Sequence, residues 1–583
     1  MERNVVVTNI QKDKKNNMRK KRILFHSEFT ELSSGYSTYT KNLLTRLHKS
    51  GKYEIAEFAN YVAPGDPRLQ SIPWKVYPVM PHDSDEEYKG IYGSSPLGQF
   101  GIFRFEHACL DFEPDIVISI FDYWYSGYIA KSPYRDFFKL VWMPTVDSMP
   151  QKPCWIDTYS LCDKVLAYSY FGKRVLESQS NGRIKNVVVA SPGIDETYEP
   201  SESKEKLRER MGIPQDANIV LMVGRNQLRK LIPDFLESLR VFTEKYHKKN
   251  PELVRKTFFY IHTSNPDSGW DIPESIVRTG CADRIITTYV CKKCGAIAVT
   301  PYRGMVSRCG SCQNLSCHMT SVGSGVPRQA LADIMAIADI GVLASIGEGF
   351  GMPIIEMKKV GLPVITVPYS AMEEQCVDIK CGERRDLGGI PVKLDRMYTE
   401  PQTMQMRALF DVEDMAKQIY KVLTMNPTKK RILSEDAKRC AEDYFTWDRA
   451  AEIWMNCLDE IDISDNLSWS KTQPRYFEEV GDRNPPDELH ADKEKMLDWC
   501  LENWYNHTYF TEYRKAELVQ CLVTGADIID QFNKRSFSYD NLKNLFNLMI
   551  NKNNMFENMR FNKHMAPYLS QEPDSGGMEV KII

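Results

Sequence analysis

The chain has 583 residues, 42% of them hydrophobic and 26% charged, with a formal net charge of −3. That length exceeds what one hydrophobic core serves, so two or more domains are expected. The near-neutral balance excludes a global attraction to nucleic acid or anionic membrane and leaves only local patches for such contacts; no run reaches the roughly 18 apolar residues of a membrane helix.

Residues 1–21, which include the stretch KDKKNNMRKK, are polar and basic and lack the apolar stretch of a secretory leader. They are expected to be a disordered arm on a cytoplasmic chain. The first strand is expected at Arg22–His26, followed by the loop SEFTELSSGYST and a helix with apolar residues at helical spacing in YTKNLLTRLHKSG. Further strand-like runs are DIVISIF (115–121), KLVWMPTV (139–146), KVLAYS (164–169) and NVVVASPG (186–193). Helical patterns separate several of them, and strand alternating with helix argues for an open parallel sheet over residues 22–197.

The Pro-, Ser- and charge-rich stretch DETYEPSESKEKLRERMGIP has the composition of a domain linker. A second unit, 198–445, carries NIVLMVGR (218–225), TFFYIHTS (257–264), RIITTYV (284–290), DIGVLAS (339–345) and LPVITVP (362–368) as strands. FTWDRAAEIWMNCLDEI reads as an amphipathic helix over about 446–461, and residues 462–583 as an extension with helical patterns such as DKEKMLDWCLENWY.

Two stretches carry chemistry. In SIGEGFGMPIIE the chain must turn from strand to helix, and Pro353 falls where the first helical position is expected. Gly349 and Gly351 allow close backbone approach to a ligand, and the helix aims free N–H groups at it. Glu348 in the loop and Glu356 one turn into the helix can face one crevice. Two acids repel phosphate, so sugar hydroxyls are their expected partners; the bland alternative is a Gly-rich turn with two solvated acids. In VGRNQLRK, Arg225 and Lys230 follow a strand at a spacing of five, which suits a diphosphate leaving group.

Together these stretches resemble glycosyltransferase family 4, the retaining nucleotide-sugar transferases of GT-B fold. The matching residues are Glu348 and Glu356 as the family's E-x7-E motif, the EGFG loop, and Arg225 with Lys230. SSGYSTYTKNLL resembles the family's loop after the first strand, with Gly35 at the phosphate-facing position. AYSYFGKRVL resembles its serine-led helix start near Ser169, SPGIDETYEP its stretch before the hinge, and FTWDRAAEIW its late crossover helix. The resemblance spans about 22–461 and implies two Rossmann-like α/β domains, an N-terminal acceptor domain and a C-terminal donor domain, facing a cleft. It implies that Glu356 holds the ribose, that Glu348 with the backbone of Gly349, Phe350, Gly351 and Met352 holds the sugar, and that Arg225 and Lys230 neutralise the departing diphosphate without a catalytic metal. Where the family carries a His after KLVWMP, this chain reads PTVDSMP. Asp147 falls nearest, either accepting from a sugar hydroxyl or serving as a structural turn residue.

Six of the 15 cysteines fall between Cys281 and Cys317. Cys291-x2-Cys294 and Cys309-x2-Cys312 form two knuckles whose spacing fits a zinc ribbon, 288–320, with four thiolates and no open position. The zinc is therefore expected to be structural. Cys281 is assigned to packing, while Cys317 and His318 lie close enough to substitute for a ligand. The ribbon's expected uses are acceptor docking, oligomer contact or nucleic-acid contact, with Lys292, Lys293, Arg303 and Arg308 giving it a basic tint.

These readings converge on a retaining transferase that moves a sugar from a UDP-, GDP- or ADP-sugar to a glycan or other hydroxyl acceptor. Peripheral membrane or oligomer contacts remain open. Two rival readings stand beside it: a catalytically inactive sugar-nucleotide-binding scaffold, and a glycosyltransferase acting on modified nucleic acid, against which the net charge of −3 counts.

Overall fold

The computed structural model describes residues 19–469 apart from 95, 133, 195–197, 322–323, 377–387 and 402, together with positions 486, 488, 495 and 499. The basic arm before residue 19, and the expected C-terminal extension beyond 469 save those four positions, lie outside the described residues. Among the described residues no helix is long and apolar enough to cross a membrane.

The first sheet holds β1 (Lys21–Glu28), β2 (Tyr53–Asn60), β3 (Lys75–Pro78), β4 (Ile116–Ser119), β5 (Lys139–Trp142), β6 (Lys164–Ala167) and β7 (Val188–Val189). Its order is β3-β2-β1-β4-β5-β6-β7, all parallel. Ile23, Leu24 and Phe25 are fully buried because helices cover both faces, which is why the strand reads as a continuous apolar run. β2 and β3 are absent from the sequence reading. In YEIAEFAN the apolar run is broken by Glu57, which is fully buried and accepts from Thr30 N at 2.8 Å, Thr30 Oγ1 at 2.9 Å and Trp74 Nε1 at 2.9 Å. A paired buried acid looks like a surface residue in the sequence.

The second sheet holds β8 (Asn218–Val223), β9 (Thr257–His262), β10 (Ile285–Cys291), β11 (Ile297–Pro301), β12 (Val306–Arg308), β13 (Leu315–Met319), β14 (Ile340–Leu343), β15 (Val364–Thr366) and β16 (Gly389–Pro391). Its order is β12-β13-β10-β9-β8-β14-β15-β16, with β11 also on β10. β10 changes partners along its length. Ile285–Thr287 pair in parallel with β9, while Tyr289–Cys291 pair antiparallel with β13. The cysteine-bearing segment therefore extends the domain sheet as its edge and shares its core, in which Cys291, Cys309 and Cys317 are buried. An unforeseen antiparallel hairpin, β17 (Leu394–Thr399) with β18 (Met406–Phe410), follows β16.

The stretch with linker composition contains a helix. Lys204–Met211 is a helix capped by Ser203, and its Arg208 is buried, donating to Ile337 O at 3.0 Å and Asp339 Oδ2 at 2.8 Å. The chain returns to the first sheet through the helix Trp447–Glu460. Its apolar stripe, Trp447, Ala450, Ala451, Trp454, Cys457 and Leu458, is buried in the core that contains Leu43 and Leu47 of the helix Gly35–Ser50. Trp454 Nε1 donates to Tyr39 Oη at 2.8 Å, and Tyr39 Oη donates to Ala190 O at 2.8 Å. Lys21 Nζ closes the helix's C-terminal end on Leu458 O at 2.7 Å and Ile461 O at 2.7 Å, where free carbonyls and the dipole favour a cation. Gly193 passes so close that a Cβ there would lie 2.1 Å from Trp447 N.

Trp454→Ala removes a fully buried indole and the hydrogen bond that the Tyr39 hydroxyl accepts. It is expected to lower stability by about 3–5 kcal/mol, read as a shifted urea midpoint.

Candidate active site

Both sheets reverse strand order beside their central strands, β1/β4 in the first and β8/β14 in the second. In open parallel sheets the carboxyl ends at such a reversal leave a crevice. The loop after β8 carries Arg225 and then a short turn, Leu228–Lys230, which ends at Leu231 in the left-handed region with φ of 43°. The loop after β14 is zipped to it: Ile346 N donates to Arg229 O at 2.9 Å and Ser345 Oγ to the same carbonyl at 3.2 Å. These bonds bring Glu348 onto Lys230.

Glu348 and Lys230 are both buried. The Glu348 carboxylate accepts from Lys230 Nζ and from Arg229 Nη1. Burial alone would raise its pKa, but Arg229 and then Lys230 hold it down to about 2. Burial, and then the neighbouring Arg229, lower Lys230 to about 8. Two cations and one carboxylate leave this buried group with one net positive charge, a place for an anion.

Arg225 is half-exposed and points elsewhere, donating to Asp267 through Nε at 3.1 Å and Nη2 at 3.0 Å. The cation that the sequence reading lacks beside Glu348 is Arg229; it stands next to Lys230, but the Arg225–Lys230 spacing drew the reading to the other arginine. Glu356 is partly buried and accepts from Tyr198 Oη at 2.8 Å; burial raises its pKa against that bond. The two acids of the motif therefore have separate partners.

The glycines also meet protein. A Cβ on Gly349 would lie 2.5 Å from Thr145 Cγ2, and one on Gly347 would lie 2.5 Å from Asp147 O. The close approach in this structure is thus to the loop after β5 across the cleft. Gly351 has φ of 92° and is the N-cap of the helix Met352–Lys359, so Pro353 is the second helical residue, one later than expected. The Phe350 ring turns away and packs edge-on against Phe445 at 5.3 Å. Met352 packs partly buried on the first sheet's core. Gly35 begins the helix Gly35–Ser50 opposite, exposed, with open space around its Cβ position.

Asp147 is held by Arg407 of β18 at 2.8 Å and accepts from Ser148 Oγ at 2.8 Å. Arg407 also pairs with Glu400 at 3.0 Å, and Met406 N donates to Met149 O at 2.8 Å. The hairpin thus clasps the loop of the other sheet, a contact no local pattern announces. A second clasp comes from Glu374, which accepts from Tyr170 N at 3.0 Å and from Phe171 N, at the N-terminus of the helix that Ser169 caps.

At the far edge, Cys291, Cys294, Cys309 and Cys312 place their sulfurs within 4.8 Å of one another. Cys291 and Cys312 are 3.6 Å apart, Cys294 and Cys309 3.7 Å. Thiolates around a tetrahedral ion with bonds of ~2.3 Å lie about 3.8 Å apart, whereas a disulfide requires about 2.05 Å. The four fit a metal.

Glu348→Ala leaves the buried Lys230 and the half-buried Arg229 without their carboxylate and is expected to cost about 3–5 kcal/mol. Glu356→Ala, which frees only a neutral phenol, is expected to cost about 1–2 kcal/mol. Urea unfolding of the two variants checks the contrast.

Residues 313–383, a stretch holding both Glu348 and Glu356, match the family model described as Glycosyl transferases group 1. The chain is 24% identical over 197 residues to a D-inositol 3-phosphate glycosyltransferase of Streptomyces avermitilis, covering 34% of this chain and 35% of the relative. Against that of Saccharomonospora viridis it is 24% identical over 279 residues, 47% of this chain and 50% of the relative. The chain thus spans between a third and a half of the length of these curated relatives. Among solved structures it is similar to sucrose-phosphate synthase from Thermosynechococcus elongatus, with TM-score 0.51, 16% identity, and 76% and 99% of the two chains covered. It is similar also to HepE of Anabaena in complex with UDP-glucose, with TM-score 0.50, 15% identity, and 76% and 100% covered. The two facing α/β sheets are those of the GT-B fold, and the second carries the group 1 glycosyl transferase match.

Proposed function

We propose that this chain is a glycosyltransferase of family 4 that moves a sugar from a nucleoside-diphosphate sugar to an acceptor hydroxyl with retention. The observation that carries the reading is the buried Glu348–Arg229–Lys230 group, with its surplus positive charge, at the strand reversal of the second sheet. In the transfer, the bond from the anomeric carbon to the diphosphate oxygen breaks and a bond to the acceptor oxygen forms on the same face. The acceptor proton leaves with the departing diphosphate. Negative charge grows on that diphosphate in the transition state, where fixed cations are most effective.

Lys230 and Arg229 meet that charge, so in this reading no catalytic divalent metal is required. Arg225 joins them by exchanging Asp267 for phosphate. Glu348 orients the two cations and receives sugar hydroxyls, along with the backbone of Gly349, Phe350, Gly351 and Met352; Glu356, with Tyr198, receives the ribose. Gly35 lies across the cleft at a helix start that suits phosphate. Asp147, held by Arg407, closes the cleft rather than carrying a proton. A UDP-sugar is the donor favoured here, after the UDP-glucose complex of HepE. The four cysteines hold one structural zinc ion, which ties the outer strands to β10 and keeps them as one edge. The chain works in the cytoplasm, where such thiolates stay reduced.

Release of UDP from UDP-glucose tests the reading. Lys230→Ala is expected to lower turnover about 10²–10³-fold while UDP still binds; unchanged turnover overturns it. Because the free protein protonates Lys230 only below about pH 8 and the diphosphate binds the charged form, UDP affinity should be level below that pH. It should then fall by up to about tenfold per unit above it, toward the Lys230→Ala value. Calorimetric Kd values from about pH 6.5 to 9.5 check this.

Elemental analysis is expected to find one zinc per chain, and none after Cys309→Ser. Local loss of protection in the outer strands should follow, because a ribbon this small is held by its metal.

A further inference from the structure

We propose that the carboxyl ends of the first sheet's strands form an acceptor pocket that takes a neutral polyol, not a phosphorylated one, through Glu28 and Asp122. The proposal rests on the transferase reading above and names the class of its second substrate.

Five adjacent strands deliver the pocket. Glu28 is the last residue of β1, Tyr61 follows β2, Asp122 lies just beyond β4, Thr145 just beyond β5, and Tyr168 follows β6. β1 and β4 are the strands at which this sheet reverses order. Asp122 occupies the N-cap position of the turn Tyr123–Ser126 but does not cap it. Its carboxyl instead interacts with the hydroxyls of Tyr36 and Thr145, which share a hydrogen bond at 2.7 Å. Tyr125 stacks on Phe121 at 4.6 Å and interacts with Tyr61, and both phenols feel the charge of Glu28. Tyr168 is 8% exposed, and its hydroxyl has no hydrogen-bond partner of normal geometry among the described residues, although it faces Thr145 and Asp122.

The chemistry of this cup is that of a polyol site. Burial pushes the Glu28 carboxyl up, and burial together with Asp147 pushes Asp122 up to about 7. Glu28 accepts from Ser34 Oγ, and Asp122 interacts with Tyr36 and Thr145; an ionised carboxylate has about four lone-pair positions, so each keeps room for the hydroxyls of a sugar. Beside them Trp124 is 46% exposed and sets its ring edge-on to Trp155 at 5.5 Å, offering an aromatic face to a sugar's C–H surface. The charge balance argues against a phosphate. In the transferase reading Arg225 and Arg229 serve the donor diphosphate, and Arg407 is held by Asp147 and Glu400. A phosphorylated acceptor would therefore meet two desolvated carboxyls, with the adjacent guanidiniums taken by the donor diphosphate.

The test uses the full chain with UDP-glucose and two sets of probes. The neutral set is methyl α-glucopyranoside, maltose and myo-inositol; the charged set is glucose 6-phosphate and inositol 3-phosphate. At least one neutral probe is expected to be used, with kcat/KM about tenfold or more above that of the phosphate esters. Asp122→Asn and Glu28→Gln should each lower that kcat/KM about 100-fold, mainly through KM, because a bond to a charged group is lost. UDP affinity and the hydrolysis of UDP-glucose by water should stay within about twofold. Tyr125→Phe, which removes one hydroxyl, should lower it about tenfold at an unchanged melting temperature.

The wild-type acceptor kcat/KM should rise with pH through about 7 as Asp122 ionises, and Asp122→Asn should lose that limb. The groups facing Asp122 are Asp147, Arg229, Tyr36, Tyr125, Tyr159 and Tyr168. Of these, the four tyrosines, whose pKa values burial raises, stay neutral across that range. Equal or better use of the phosphate esters, refusal of every neutral probe, or an unchanged KM in the variants overturns the proposal. A wild-type chain that neither binds UDP nor hydrolyses UDP-glucose overturns the transferase reading instead, and the pocket falls with it.

Discussion

Glu348 lies buried between Lys230 and Arg229 on loops that leave two neighbouring strands, β8 and β14. A carboxylate in that position is tolerated only because cations reach it, and the cations are tolerated only because it is there. The backbone bonds from Ile346 and Ser345 to Arg229 O fix the loops at the spacing this requires. The surplus positive charge is thus a product of two loops meeting rather than of any single residue. Disturbing either loop would expose or orphan a charge, which couples the integrity of the second sheet to this group.

The two sheets meet through contacts that depend on the absence of side chains as much as on their presence. Gly347 and Gly349 bring one loop against Asp147 and Thr145 of the other sheet, and Gly193 lets the returning chain pass at Trp447. Around these approaches stand directional contacts: the Arg407 ion pair with Asp147, Glu374 at the start of the helix Tyr170–Gln179, and the Trp454–Tyr39 hydrogen bond. The cleft is thereby defined by a backbone fit and held by a few polar clasps. An acid where the family resemblance leads one to expect a histidine follows from this arrangement, since a histidine there would forgo the Arg407 pair.

The cysteine-bearing segment shows how an insertion can become part of a domain. β10 begins as an ordinary parallel strand and ends as the spine of an antiparallel edge. An edge strand invites pairing with other chains unless it is shortened or charged. Here the outermost strand, β12, has only three residues, Val306–Arg308, and ends in arginine. The four cysteines gather at the two turns of this edge, between β10 and β11 and between β12 and β13.

The amino-acid sequence by itself determined the alternation of apolar runs with helical patterns, the pairing of two cysteine knuckles, the strand-to-helix turn around Glu348, and the amphipathic return helix. Each is a local pattern whose cause lies within a few residues: burial on both faces, ligand spacing, glycine and proline geometry, helical periodicity. Only the tertiary structure decided that Arg229 rather than Arg225 meets Glu348 and that Asp147 belongs to Arg407. β2, with its buried Glu57, and the β17–β18 hairpin were illegible for the same reason. A charged side chain carries no sign in the sequence of whether water or a distant partner satisfies it; that is settled only when the chain closes and the partner, often more than a hundred residues away, arrives.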